Sequence, residues 1–136
     1  MALEVRTESA EQRALFEWAA LREGKWPELS LLHHIPNGGS RNKAEAARLK
    51  LEGVKAGVPD IHLPVARGPY HSLYIEMKRQ RGGTVQATQK ELITALRQAG
   101  YRVEVCKGWW EAREVIENYL TGEIPKGASR RVEPAA

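Results

Sequence analysis

The stretch GVPDIHLPVARGPYHSLYIEMKR, from Gly57 to Arg79, constrains this chain more than any other. It holds two short apolar runs, Asp60 to Val65 and Ser72 to Met77, separated by a Gly68-Pro69 turn. Runs of this length bounded by glycine and proline read as β-strands, and so short a link makes them an antiparallel hairpin. Side chains alternate along a strand, so Leu73 and Ile75 point to one face and Tyr74, Glu76 and Lys78 to the other.

The segments around the hairpin have the spacing of helices. Leu15, Trp18, Ala19 and Leu21 place a first helix over Ser9 to Arg22, with Thr7 or Ser9 as its start signal. Leu29 to Ile35 is a short apolar run ending at Pro36-Asn37-Gly38-Gly39, expected as a strand and a turn. Asn42 to Glu52 is rich in Ala, Lys and Leu and predicts a second helix stopped by Gly53. A third runs from Thr84 or Gln86 to Ala99, with Gly100 as terminator. Tyr101 to Cys106 is a further strand and Glu111 to Leu120 a closing helix. Beyond Gly122 no periodicity remains, so residues 1–122 are expected as one domain and 123–136 as a flexible tail. The expected fold is α/β, a mixed central sheet of about four strands flanked by helices.

Composition narrows the function classes. A chain of 136 residues with 42% hydrophobic and 28% charged residues is an ordinary globular domain. Its apolar runs fall far short of the roughly 20 residues a membrane helix needs, and no signal peptide opens it, so a soluble, intracellular protein is expected. The single cysteine, Cys106, excludes an internal disulfide framework and a Cys-rich zinc site; it is expected as a small buried strand residue. Lys and Arg outnumber Asp and Glu by 21 to 17, for a charge of +4 and a pI near 9.4. That balance suits a nucleic-acid partner without requiring one.

The chemistry lies in Asp60 at the start of one strand and Glu76-Met77-Lys78 in the next. In Glu-x-Lys on a strand, a carboxylate and an ammonium share one face. Alone, such a pair is usually a solvated edge of little energetic weight. If the hairpin brings Asp60 beside Glu76, however, two hard oxygen donors converge with a lysine, a set suited to Mg²⁺ or Mn²⁺. The Met77 carbonyl is a further candidate ligand. Such a cation polarises a phosphodiester and acidifies water, while Lys78 orients that water and offsets developing charge.

These motifs resemble those of the PD-(D/E)xK nuclease superfamily, and specifically a stand-alone virus-type replication-repair nuclease (VRR-NUC) domain. The residues carrying the likeness, from about Glu8 to about Leu120, are Glu11-Gln12 and Trp18, the PNGG turn, EGVKAGVPDIHLP, LYIEMKR, Gln89 and GYRVEVCKGWWEA. The resemblance implies a restriction-endonuclease-like fold and a metal site of Asp60, Glu76 and the Met77 carbonyl. Lys78 is then catalytic, and a first-helix glutamate assists, taken as Glu11 from among Glu8, Glu11 and Glu17. It further implies action on DNA, with branched structures such as Holliday junctions as partners, through a homodimer whose two-fold axis matches the junction. Repair and a phage source, hence host cytoplasm, fit the compact form.

Other residues have a functional and a plain reading. Gln89 either holds the attacking water or a phosphate, or is an exposed helix glutamine. Asn37-Gly38-Gly39 either offers N–H groups to phosphate or is a tight turn. Arg41, Lys43, Arg48, Lys50 and Lys55, with Arg79 and Arg81 behind Lys78, either grip phosphates or are ordinary solvated surface. His33, His34, His62 and His71 show no zinc spacing and are expected as ordinary residues, His62 being the best exception. Trp109 and Trp110 are assigned to the core or a dimer contact. The rival functions are a restriction-like nuclease of linear duplex and a non-catalytic DNA-binding subunit.

Overall fold

A computed structural model of the chain describes residues 5–36 and 42–122. The elements follow in the order α1 (Glu8–Arg22), a 3-10 turn (Pro27–Leu31), β1 (His33–His34), α2 (Lys43–Leu51), β2 (Ile61–Leu63), β3 (Leu73–Lys78), α3 (Ala87–Gln98), β4 (Arg102–Lys107) and α4 (Trp109–Thr121). The strands form one mixed sheet in the order β1-β2-β3-β4. The first two pairings are antiparallel; β3 and β4 are parallel, joined by the crossover through α3. The expected α/β architecture and hairpin are both present.

The two faces of the sheet follow from strand alternation. Leu73, Ile75 and Met77 join Leu15, Trp18 and Ala19 of α1 and Ala112, Ile116, Tyr119 and Leu120 of α4 in one buried cluster. Cys106 lies in that cluster as the register partner of Met77. The spacing of the α4 residues is i, i+4, i+7, i+8, a single helical stripe. Tyr74, Glu76 and Lys78 therefore point the other way, toward α3. Each fully buried aliphatic side chain in the cluster contributes roughly 1.5–3 kcal/mol.

Two expectations are corrected. The run expected as a strand from Leu29 to Ile35 begins inside the 3-10 turn Pro27–Leu31 and has only His33–His34 in the sheet. Pro27 fixes the backbone at the first position, and Leu29 and Leu32, three residues apart, are both buried. Leu21, expected on the apolar stripe of α1, is 85% exposed. The stripe is instead Glu11, Leu15, Trp18 and Ala19, and Leu21 falls two residues beyond it on the far side. The helix otherwise starts as expected: the Thr7 hydroxyl accepts from the Ala10 N–H at 3.1 Å. The expected tail, residues 123–136, lies outside the described residues. No helix among the described residues is long and apolar enough to cross a membrane.

Ile116 is fully buried at the centre of α4, whereas Leu51 at the end of α2 is 89% exposed. Ile116→Ala should lower the unfolding free energy by about 2–5 kcal/mol and Leu51→Ala by less than about 0.5 kcal/mol, read from urea titrations.

Candidate active site

Asp60 stands one residue ahead of β2. The register pairs Ile61 with Ile75 and His62 with Tyr74, so the next step along the hairpin sets Asp60 opposite Glu76. The ladder is continued there by a side chain: the Asp60 Oδ2 accepts the Met77 N–H at 2.9 Å. On the other side the Asp60 carbonyl accepts from the Ile35 N–H at 2.6 Å and is 2.9 Å from His34 Nδ1. Asp60 is thereby tied to both β1 and β3. In a strand the N–H and C=O of one residue face the same neighbour, so the Met77 carbonyl is directed to the Asp60 side as well.

Glu76 and Lys78 are 2% and 7% exposed. Gln89, in the first turn of α3, joins them. Its Nε2 donates to Glu76 Oε2 at 2.8 Å, and its Oε1 accepts from Lys78 Nζ at 3.3 Å and from the Gln86 N–H at 2.8 Å. Two donors at the amide oxygen and a carboxylate at its nitrogen fix the orientation of the amide. Lys78 Nζ lies 3.4 Å from Glu76 Oε2, which closes a three-membered network.

Two glycines allow the close approaches around it. Gly57 has φ +90°, and a Cβ there would lie 2.6 Å from the Thr88 carbonyl oxygen, so the segment leading to Asp60 rests directly on the first turn of α3. A Cβ on Gly83 would lie 3.1 Å from Lys78 Cβ, which lets the 79–83 loop fold back against the lysine stem.

The electrostatics are those of a crowded carboxylate pair. Burial, and then the charge of Asp60, push the Glu76 carboxyl up to about 7 against the pull of Lys78. Burial also raises Asp60, offset in part by the Met77 N–H, His34 and Lys78. Glu76 Oε1 is buried without a hydrogen-bond partner. Oxygen donors, mutual repulsion and an unused buried lone pair together fit a hard divalent cation. No group of three His, Cys, Asp or Glu residues among those described forms a ready-made cage. Magnesium does not need one, since one or two carboxylates plus water and phosphate usually hold it.

The remaining candidate residues divide. Glu11 is fully buried on α1, the helix covering the opposite face of the sheet, and its Oε1 accepts the Trp109 N–H at the start of α4 at 3.2 Å. No described contact joins it to Asp60 or Glu76. Arg79 lines a cavity of about 360 Å³ with Thr7, Glu8, Lys78, Gly82, Gly83, Thr84 and Gln86, so the glutamate beside Lys78 there is Glu8. Lys43, Lys55 and Arg81 are exposed and lie outside that lining. Arg48 is paired with Glu52 at 3.0 Å. Asn37 and Arg41, with the glycines of the PNGG turn, lie outside the described residues. Trp109 packs on the core, while Trp110 is 56% exposed under the Arg113 guanidinium. His34 was not singled out from the sequence, because only the β1–β2 register places it at Asp60.

A model of the VRR-NUC domain matches residues 6–110 of the sequence. A solved structure described as a VRR_NUC domain protein is 34% identical and superposes with a TM-score of 0.77, the alignment covering 93% of this chain and 98% of that one. No curated protein matches.

The raised Glu76 carboxyl has a consequence for stability without metal. Between its usual value of 4.5 and about 7, the folded chain binds the proton that the unfolded chain has lost. The stabilisation from this group is complete below the lower value and is lost as pH rises through the upper one. In EDTA, the Tm of the wild type relative to Glu76→Gln should therefore fall between about pH 5 and about pH 8. A constant difference across that range would contradict the burial of Glu76 against Asp60.

Proposed function

The chain belongs to the VRR-NUC family, and from that membership we propose that it is a metal-dependent, structure-selective DNA endonuclease that hydrolyses phosphodiester bonds at Asp60, Glu76 and Lys78. Membership by itself implies a nuclease-type activity. The observation that carries the finer reading is the placement of Asp60 opposite Glu76, with Lys78 and Gln89 on the same side of the sheet.

Asp60 and Glu76, with the Met77 carbonyl, would hold Mg²⁺ or Mn²⁺. When bound, the cation supplies polarisation of the scissile phosphate and acidification of an attacking water. Lys78 contributes a positive charge next to the position of the phosphate, where negative charge grows as the bond breaks. Gln89 holds the ammonium through its Oε1 and the Glu76 carboxylate through its Nε2, so that neither swings away when the substrate is absent. Glu76, whose carboxyl its surroundings push up to about 7, would have to be deprotonated to hold the cation. Glu11 acts at a distance in this scheme, by holding the start of α4 against the ends of β3 and β4.

Arg79 and the cavity beside Lys78 would seat the phosphate backbone of DNA, with Arg81, Lys43 and Lys55 contributing longer-range attraction. Asn37 and Arg41 are assigned to the same contact on sequence grounds. A four-way junction has two-fold symmetry and takes paired incisions, so one site per chain calls for a homodimer. Holliday junctions are accordingly the preferred substrate proposed.

The test is cleavage of labelled four-way junction, flap and linear duplex DNA with Mg²⁺, Mn²⁺ or EDTA. Metal-dependent cutting of branched DNA is expected, with Glu76→Ala and Lys78→Ala each slower by at least about 10²–10³-fold. Equal cutting of linear duplex would remove the structure selectivity. Binding without cutting would leave a DNA-binding subunit in place of an enzyme.

A further inference from the structure

On the face that carries Glu76 and Lys78, the sheet presents a row of rings one step away from the carboxylates. His33, His62 and Tyr74 are successive register partners across β1, β2 and β3. His62 and Tyr74 stack at 4.2 Å with 12° between their planes. His33 meets His62 edge-on at 5.2 Å, and Tyr101 meets Tyr74 edge-on at 5.5 Å. None of the four belongs to the main core cluster: His33 is exposed and the other three are half-buried. His62 and Tyr74 each cover one face of the other, and His62 Nε2 is 2.8 Å from the Ser72 hydroxyl, so the ring the row leaves most open to solvent is that of His33.

Its position gives it a use. Tyr74 and Glu76, like His62 and Asp60, are two residues apart on one face, a separation of about 6.6–6.8 Å. That is about two stacked nucleotide steps of roughly 3.4 Å each. On the other side of the carboxylates, in the direction of Lys78, lies the cavity lined by Lys78 and Arg79. A strand whose scissile phosphate sits at Asp60 and Glu76 would therefore have cations on one side of that phosphate and rings on the other. Cations suit the backbone of any nucleotide. Rings suit a base only when its face is free, which in duplex DNA it is not.

We propose that the row His33, His62, Tyr74 and Tyr101 is a stacking site for an unpaired DNA base next to the scissile phosphate. This rests on the reading of Asp60, Glu76 and Lys78 as the cleavage site, and it gives that site a physical basis for choosing flaps over continuous duplex: a flap supplies an unpaired base, which neither a continuous duplex nor a fully paired junction arm does. Stacking tolerates every base, so the selectivity is for structure and not for sequence.

The experiment measures binding in EDTA, apart from cleavage, with a flap oligonucleotide carrying 2-aminopurine at the unpaired branch position and with the same strand fully paired. The wild type should quench the unpaired probe and leave the paired one unchanged. Tyr74→Leu and His33→Ala should each weaken binding of the flap by about tenfold and of the duplex by less than about twofold, while Tyr74→Phe, which keeps the ring, binds as the wild type. Because His33 is exposed, its variant serves if Tyr74→Leu fails to fold. Equal loss on both probes, or no loss on either, overturns the stacking site. Wild-type cutting in Mn²⁺ with no 2-aminopurine response sinks the stacking site alone. Quenching without cutting supports it while removing the nuclease reading, and a wild type that binds neither probe in EDTA and cuts neither in Mn²⁺ removes both.

Discussion

The hydrogen bond from the Met77 N–H to the Asp60 carboxylate is the contact on which the site depends. The β2–β3 ladder ends at Ile61, and without a further tie the chain ahead of it would be free to turn away from β3. The Asp60 side chain supplies that tie by accepting a backbone donor of the neighbouring strand. The register is then carried one residue past the last strand pair, and Asp60 comes to stand opposite Glu76. Ile35 and His34 hold the Asp60 carbonyl from β1, and Gly57 seats the preceding turn on α3, so the same residue is restrained from three elements.

That arrangement works against the stability of the fold it sits in. Two carboxylates face each other, one of them almost wholly buried, with Lys78 beside it and Gln89 of α3 bonded to both Glu76 and Lys78. Glu76 answers by retaining its proton to about pH 7. Such a departure from ordinary ionisation, with one carboxylate oxygen held by Gln89 and Lys78 and the other without a partner, is more characteristic of a site than of a structural ion pair. Gln89 is what makes the crowding tolerable. It donates to the carboxylate and accepts from the ammonium, while its oxygen also takes a backbone N–H at the start of α3. Helix start and site geometry are thus one set of hydrogen bonds.

Much of this was legible in the residues themselves. Period-two alternation in LYIEMK and the Gly68-Pro69 break gave the hairpin, and the apolar spacing of α1 with the Gly53 and Gly100 terminators gave the helices that flank it. The 3-10 turn at Pro27–Leu31 was hidden because a five-residue apolar segment fits a strand or a tight helix equally well, and only the joint burial of Leu29 and Leu32 separates them. An acidic residue in register with the apolar stripe, Glu11 with Leu15, Trp18 and Ala19, does mark Glu11 as buried. It does not say that the Glu11 carboxylate accepts the Trp109 N–H at the start of α4, a contact that depends on how α1 and α4 meet. The proximity of His34 to Asp60 and the ring row through His62 and Tyr74 depend on pairing between distant strands, which local pattern does not encode.

The central claim is that Asp60 and Glu76 together form one site for a hard divalent cation. Titration of the metal-free protein with Mn²⁺ near neutral pH, followed by electron paramagnetic resonance of the free ion, measures this without any reference to DNA. The account predicts a saturable site that Asp60→Asn and Glu76→Gln each weaken by at least about tenfold, within the range typical for loss of groups that support a metal, and that Leu51→Ala leaves unchanged. Equal Mn²⁺ binding by the wild type and both carboxylate variants would contradict it.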